Sequence, residues 1–179
     1  MAKVRAATPG VHYQDHVPLI VHCVPQIPDR STAVLAGTDG PLPHLLDAVR
    51  LLQDAGVHAI AIACNTAHHW HTRLQAQARV PILHIADAVR VLIAQRDQPS
   101  LRVALMGTQG TRHSRLYDRM LSEGSGELLF PDAQAQAVID HAIACVKAGQ
   151  IAQAREAGAL AARLLLGSQS ADLLLLACT

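Results

Sequence analysis

Two stretches of this chain repeat one pattern, and that repeat restricts the fold more than any other feature. Ala61-Ile62-Ala63-Cys64-Asn65-Thr66 and Leu175-Leu176-Ala177-Cys178-Thr179 are both apolar runs ending in Ala-Cys, each preceded by a helical pattern and a glycine turn. A short segment that is apolar at every position suits a strand covered on both faces. Strands of that kind alternating with helices imply parallel sheets with helical cover. In open α/β sheets ligands bind beyond the carboxyl ends of the strands, so both cysteines stand where chemistry is usually done. Two related halves that face each other would set the two thiols across one cleft.

The rest of the chain alternates in the same way. Residues 17–24, rich in β-branched side chains, read as a strand, followed by a turn through Pro25, Pro28, Asp29 and Arg30. Leu45, Leu46, Val49 and Leu52 have helical spacing, and the helix stops near residue 55 because Gly56 suits the left-handed position after a helix. Strands are expected at 58–63 and 80–85, with a helix starting at Cys64-Asn65-Thr66 and another over 86–95. The polar break at Asp97, Gln98, Pro99 and Ser100 marks a boundary, giving an N-terminal domain over 1–98 and a second over 99–179. In the second, strands are expected at 102–106, 127–130 and 172–177. A glycine turn at 107–111 leads into a helix over 112–121. Helices over 133–148 and 151–166 stop at Gly149 and Gly167.

Composition removes several functions. With 15 Lys+Arg against 14 Asp+Glu the formal charge is +1, so no broad positive field exists to collect nucleic acid or anionic lipid. Tyr13, Trp70, Tyr117 and Phe130 are too few for base stacking, and the core must be aliphatic. No apolar run approaches the ~20 residues of a membrane span, and no secretory pattern opens the chain, so a cytoplasmic protein is expected. The four cysteines, Cys23, Cys64, Cys145 and Cys178, are scattered without C-x-x-C spacing, as for reduced thiols rather than a zinc or disulfide scaffold.

A thiol between a strand end and a helix start meets unpaired backbone N–H groups that favour thiolate. Cys64 fits this setting and Cys178 matches it in its strand-end position, while Cys23 and Cys145 read as small hydrophobes. Two thiols on opposite faces of a carbon acid allow one to remove a proton and the other to deliver one, the logic of a racemase. Asn65, Thr66 and Thr179, with nearby backbone N–H groups, suit an α-carboxylate, although Thr66 reads equally well as a helix cap.

The segments Pro25-Gln26-Ile27-Pro28-Asp29-Arg30-Ser31, Ala63-Cys64-Asn65-Thr66-Ala67-His68, Val146-Lys147-Ala148-Gly149 and Ala177-Cys178-Thr179 resemble the aspartate/glutamate racemase superfamily, in particular its aspartate racemase branch. The resemblance runs from about residue 15 to 179. It implies two Rossmann-like α/β/α domains with parallel sheets related by a pseudo-twofold axis. It also implies a site between them that needs neither pyridoxal phosphate nor metal, and a homodimer as an admissible assembly. Carried across, Cys64 and Cys178 are the acid/base thiols, and Asn65, Thr66 and Thr179 hold the α-carboxylate. Arg30 and Lys147 correspond to residues associated with the distal carboxylate of an acidic amino acid, and Thr108 is a weaker candidate for substrate contact. Their bland readings are a solvated loop arginine and a lysine complementing a helix C-terminus. The chain departs from the family at both ends, where the first strand and the closing helix are expected to be missing.

Other readings stay open. A hydantoin racemase, a maleate isomerase or a malonate decarboxylase can reuse strand-end cysteines, and an inactive ligand-binding fragment can keep the fold without turnover. A pyridoxal-phosphate enzyme would need Lys3 or Lys147 as its Schiff-base lysine. Cys64, His68, His69 and His71, with His58 nearby, have spacing that invites a metal, but His68 belongs to the racemase-like motif.

Overall fold

A computed structural model describes residues 2–96, 100–118, 126–167 and 170–178. It is a mixed α/β structure with two open parallel sheets among the described residues. The N-terminal part begins with helix α1 (Ala2–Ala7) and a 3-10 turn (Tyr13–Asp15). Residues 17–24 form no strand. They run as extended, exposed chain, with Val21 63% exposed. The β-branched run that suggests a strand reports only a fit to a half-buried pleated surface, and no such surface lies beside it here.

Helix α2 (Arg30–Leu35) starts where Asp29 accepts a hydrogen bond from the Thr32 N–H at 2.9 Å. Helix α3 (Pro41–Asp54) has proline in its first turn, buries Leu42, Leu45 and Val49 on one stripe, and is followed by Gly56 at φ +79°. Strand β1 (Ile60–Ala61) pairs in parallel with β2 (Ile82–Leu83), with Ile60 opposite Ile82. Both strands are much shorter than the expected 58–63 and 80–85. Between them the helix expected at Cys64 is a 3-10 segment (Thr66–Trp70) running into a five-residue α4 (His71–Gln75). The core of this part gathers Val34, Leu45, Val49, Ile60, Trp70, Leu74 and Ile82.

The second sheet has the order β4-β3-β5. Strand β3 (Leu101–Gly107) lies between β4 (Gly126–Leu129) and β5 (Leu173–Ala177), all parallel. Its alternate residues feed two cores. Leu101, Val103 and Leu105 meet Tyr117, Ala86 and Val89, the last two on α5 (Ile85–Ala94). Ala104 and Met106 meet Ile139, Ala161 and Leu165 on α7 (Ala133–Lys147) and α8 (Ile151–Gly167). This sheet is therefore the middle of three layers. The alanine-rich faces of α7 and α8 let these helices pack closely against each other and the sheet. Helix α6 (Gln109–His113) starts three residues before the expected 112, while residues 119–121 of the expected helix lie outside the described residues; it is capped by Thr108, whose Oγ1 accepts from the Thr111 N–H at 3.0 Å. No helix among the described residues is long and apolar enough to cross a membrane.

The proposed boundary at residue 98 falls outside the described residues. Helix α5, which precedes it, packs on the second sheet.

Candidate active site

The two parts meet along a polar seam. Gly110 on α6 sits so close to α2 that a Cβ there would lie 2.6 Å from the Ser31 Cα, and its N–H donates to Ser31 Oγ at 3.0 Å. Only glycine allows this approach. At the end of β3, a Cβ on Gly107 would likewise lie 2.9 Å from the Ala177 carbonyl oxygen, so β3 and β5 also close tightly just before Cys178.

Cys64 lies three residues beyond β1, partly buried against the N-terminal core. Its turn is held by His68, which is 4% exposed. The Ile85 N–H donates to His68 Nε2 at 3.2 Å, so Nδ1 carries the ring proton and donates to the Cys64 carbonyl at 2.8 Å. Burial lowers the His68 pKa, which keeps this neutral form. The His71 ring is also engaged, with Nε2 2.8 Å from the Ile82 carbonyl. No group of three or more His, Cys, Asp or Glu among the described residues is arranged to hold a metal ion.

Cys178 directly follows β5 and is exposed as a residue. Partial burial raises its pKa most, the neighbouring Cys64 raises it further, and Lys147 and Arg30 pull it down. Four groups from distant parts of the chain, Cys64, Arg30, Lys147 and Asp29, thus lie within electrostatic reach of Cys178. The Arg30 guanidinium donates to the carbonyls of Ile27 at 3.2 Å and Pro28 at 3.3 Å, which stiffens the proline loop that carries it.

Lys147 is not free. Its Nζ lies 2.8 Å from Asp29 Oδ2, and this contact with the Thr32 N–H draws the Asp29 carboxyl down to about 2. An internal carboxylate therefore occupies the ammonium that sequence reasoning assigns to a ligand. Beside this pair opens a cleft of about 310 Å³ lined by residues that include Ser31, Thr108, Gln109, Asp140 and Lys147; neither cysteine lines it.

Asn65 and Thr66 are buried rather than open to solvent. Thr66 Oγ1 lies 2.9 Å from both Thr108 Oγ1 and Thr111 Oγ1, and these last two are 3.0 Å apart. The result is a closed triangle of hydroxyls across the seam, so the Thr66 side chain does not serve as a plain helix cap. The Asn65 side chain accepts a hydrogen bond from the Tyr117 hydroxyl. Thr179 lies outside the described residues. Cys145 belongs to the buried stripe of α7, and Cys23 is exposed.

Asp29, Ser31, Thr111 and Tyr117 were not among the expected site residues. A signal existed for two of them. Thr111 stands three residues after Thr108, the spacing of a helix cap and its donor. Tyr117 is a polar-tipped aromatic in an aliphatic chain, and a buried phenol needs a partner.

A family model for Asp/Glu/Hydantoin racemase matches residues 1–179. The chain belongs to that family. The broad-specificity amino-acid racemase RacX of Bacillus subtilis (strain 168) is 31% identical over 149 residues, which take in 79% of this chain and 63% of that protein. A glutamate racemase of Aquifex pyrophilus is 30% identical over 91 residues, half of this chain and 35% of its own. The chain spans less than two thirds of the length of these curated relatives. Among solved structures, the aspartate racemase of Picrophilus torridus superposes with a TM-score of 0.85 at 27% identity, covering 99% of this chain and 73% of its own. An aspartate racemase homologue from Pyrococcus horikoshii OT3 shares the fold, with a TM-score of 0.72 at 22% identity, over 99% of this chain and 76% of its own.

Proposed function

We propose that the chain interconverts the L and D forms of an acidic amino acid, aspartate first and glutamate second, by two-base proton transfer between Cys64 and Cys178. The observation that carries this reading is the electrostatic influence of Cys64 on Cys178, two cysteines 114 positions apart (178 − 64), each placed just beyond a strand of a different parallel sheet. Burial and the neighbouring Cys64 favour the thiol form of Cys178, which suits it to the donor's part. The base takes the α-proton, the electron pair passes into an enolate-like carboxylate, and the opposite thiol returns a proton to the other face. The sulfur atoms then exchange protonation states, and the reverse reaction uses them in the opposite order.

In this reading Asn65, Thr66 and Thr179 contact the α-carboxylate region and stabilise its negative charge as it builds, and Thr108 adds a further substrate contact. Arg30 and Lys147 meet the distal carboxylate, which then competes with Asp29 for the Lys147 ammonium. The reading includes two domains over 1–98 and 99–179, a cytoplasmic location, a homodimer, and chemistry without metal or pyridoxal phosphate.

The test is incubation of the 179-residue chain with each enantiomer of aspartate and glutamate in deuterated water. Solvent deuterium is expected at the α-position, and C64A and C178A are each expected to lower interconversion by about 10³-fold. Full turnover in either variant refutes the two-thiol mechanism. A second reading, a wider amino-acid range, is favoured by Asp29, which already supplies Lys147 with a carboxylate, and by the similarity to the broad-specificity relative. Alanine turned over as readily as aspartate would select it.

A further inference from the structure

Tyr117 has no part in the proton transfer. Its ring is 2% exposed and packs with Val103 and Leu105 in the core of the second sheet. Its hydroxyl, however, crosses the seam and donates to Asn65 Oδ1, on the residue next to Cys64. Burial pushes the phenol up to about 12, so it keeps its proton at neutral pH and stays a donor. A carboxamide has one accepting end and one donating end. With Oδ1 engaged by the phenol, the Nδ2 group is the arm left to meet a ligand. A turned amide would present its carbonyl oxygen to a carboxylate, an acceptor against an acceptor. Asn65 itself is 3% exposed, and its side chain makes no helix-cap bond.

We propose that Tyr117 is a positioning residue, whose O–H fixes the Asn65 carboxamide so that the Nδ2–H donors face the substrate α-carboxylate. This rests on the reading of Asn65 as a carboxylate contact given under Proposed function. Because Tyr117 and Asn65 belong to different parts of the chain, the grip on the substrate is set by the seam.

The variant Y117F keeps the ring and removes only the O–H. Dissociation constants of L- and D-aspartate for the 179-residue chain, measured by titration calorimetry, are expected to rise about tenfold in Y117F, the scale of one hydrogen bond to a charged group. N65A should weaken binding similarly, and Y117F added to N65A should weaken it no further. Wild-type binding in Y117F beside weakened binding in N65A overturns the positioning role alone, as do losses that simply add. A wild-type chain that binds neither enantiomer fails before any variant is made, and removes the underlying reading together with this one.

A second measurement does not depend on Y117F folding. The chain has two tyrosines, Tyr13 and Tyr117, so a Y13F chain labelled with 3-fluorotyrosine carries one fluorine, at position 117. Its fluorine resonance is expected to shift on saturation with aspartate, and to stay in place when N65A is added. A resonance that ignores bound aspartate overturns the proposal.

Discussion

The two sheets are built to different standards. The N-terminal one has two strands of two residues each, and its core comes from helices and loops, with Trp70 and Leu74 at the centre. In the second, a seven-residue β3 is paired on both sides and covered on both faces. Yet Arg30, Cys64, Asn65 and Thr66 all come from the weaker part. Asn65 and Thr66 are tied to the stronger one through Tyr117, Thr108 and Thr111, and α2, which begins at Arg30, through the Gly110 contact with Ser31. The difference teaches that order in this site is imported across the seam, where hydrogen bonds rather than a shared sheet do the holding.

The sharpest way to break this comparison is to damage each core separately. Leu74 and Leu165 are both 0% exposed, and truncation of either to Ala is expected to cost about 2–5 kcal/mol. If the seam couples the two parts, both variants melt in a single transition at a lower temperature. A split transition in L74A alone would show that they unfold independently.

Gly110→Ala attacks the seam itself. The added Cβ meets the Ser31 backbone, which cannot swing away, so a loss of about 1–3 kcal/mol is expected in urea unfolding. A variant as stable as the wild type would mean the two parts yield easily to each other.

Acid should act on the N-terminal part first. Burial is the main cause that holds His68 and His84 below the ordinary value of 6.5, so the unfolded chain takes up these protons before the folded one. Their contribution is complete above about pH 6.5 and drains away as the pH falls through their lowered folded values. The urea midpoint should drop between pH 7 and pH 5, and a chain with both rings changed to Gln should lose most of that slope. The smallest effect belongs to Asp29. Its side chain is 41% exposed, so Asp29→Asn should cost under about 1 kcal/mol. That cost is present above pH 3.8 and vanishes as the pH falls through about 2, which acid titration of the two melting curves would check.

Much of the second sheet was legible in sequence, because apolar runs buried on both faces and helices stopped by glycine are local signals. Gly56 and Gly149, expected after helices, have φ of +79° and +74°. Residues 17–24 misled for the same reason: a β-branched run is local, but the partner that would make it a strand is tertiary. Within the site, the cysteines were marked by their repeat. The contacts that organise them were not, since Tyr117 meets Asn65 across 52 positions and Lys147 meets Asp29 across 118. Nothing in a neighbouring residue announces a pairing of that kind, and Lys147 could be read as a ligand contact only because Asp29 was read as loop.

The threonine triangle has a consequence of its own. Three hydroxyls own three protons, and its three edges consume all of them, so the circuit runs in one rotational sense or the other with none left over. Any ligand oxygen that receives a proton from Thr66 or Thr108 takes it out of the circuit and opens one edge. Capture of a ligand and cohesion of the two parts therefore draw on the same small inventory.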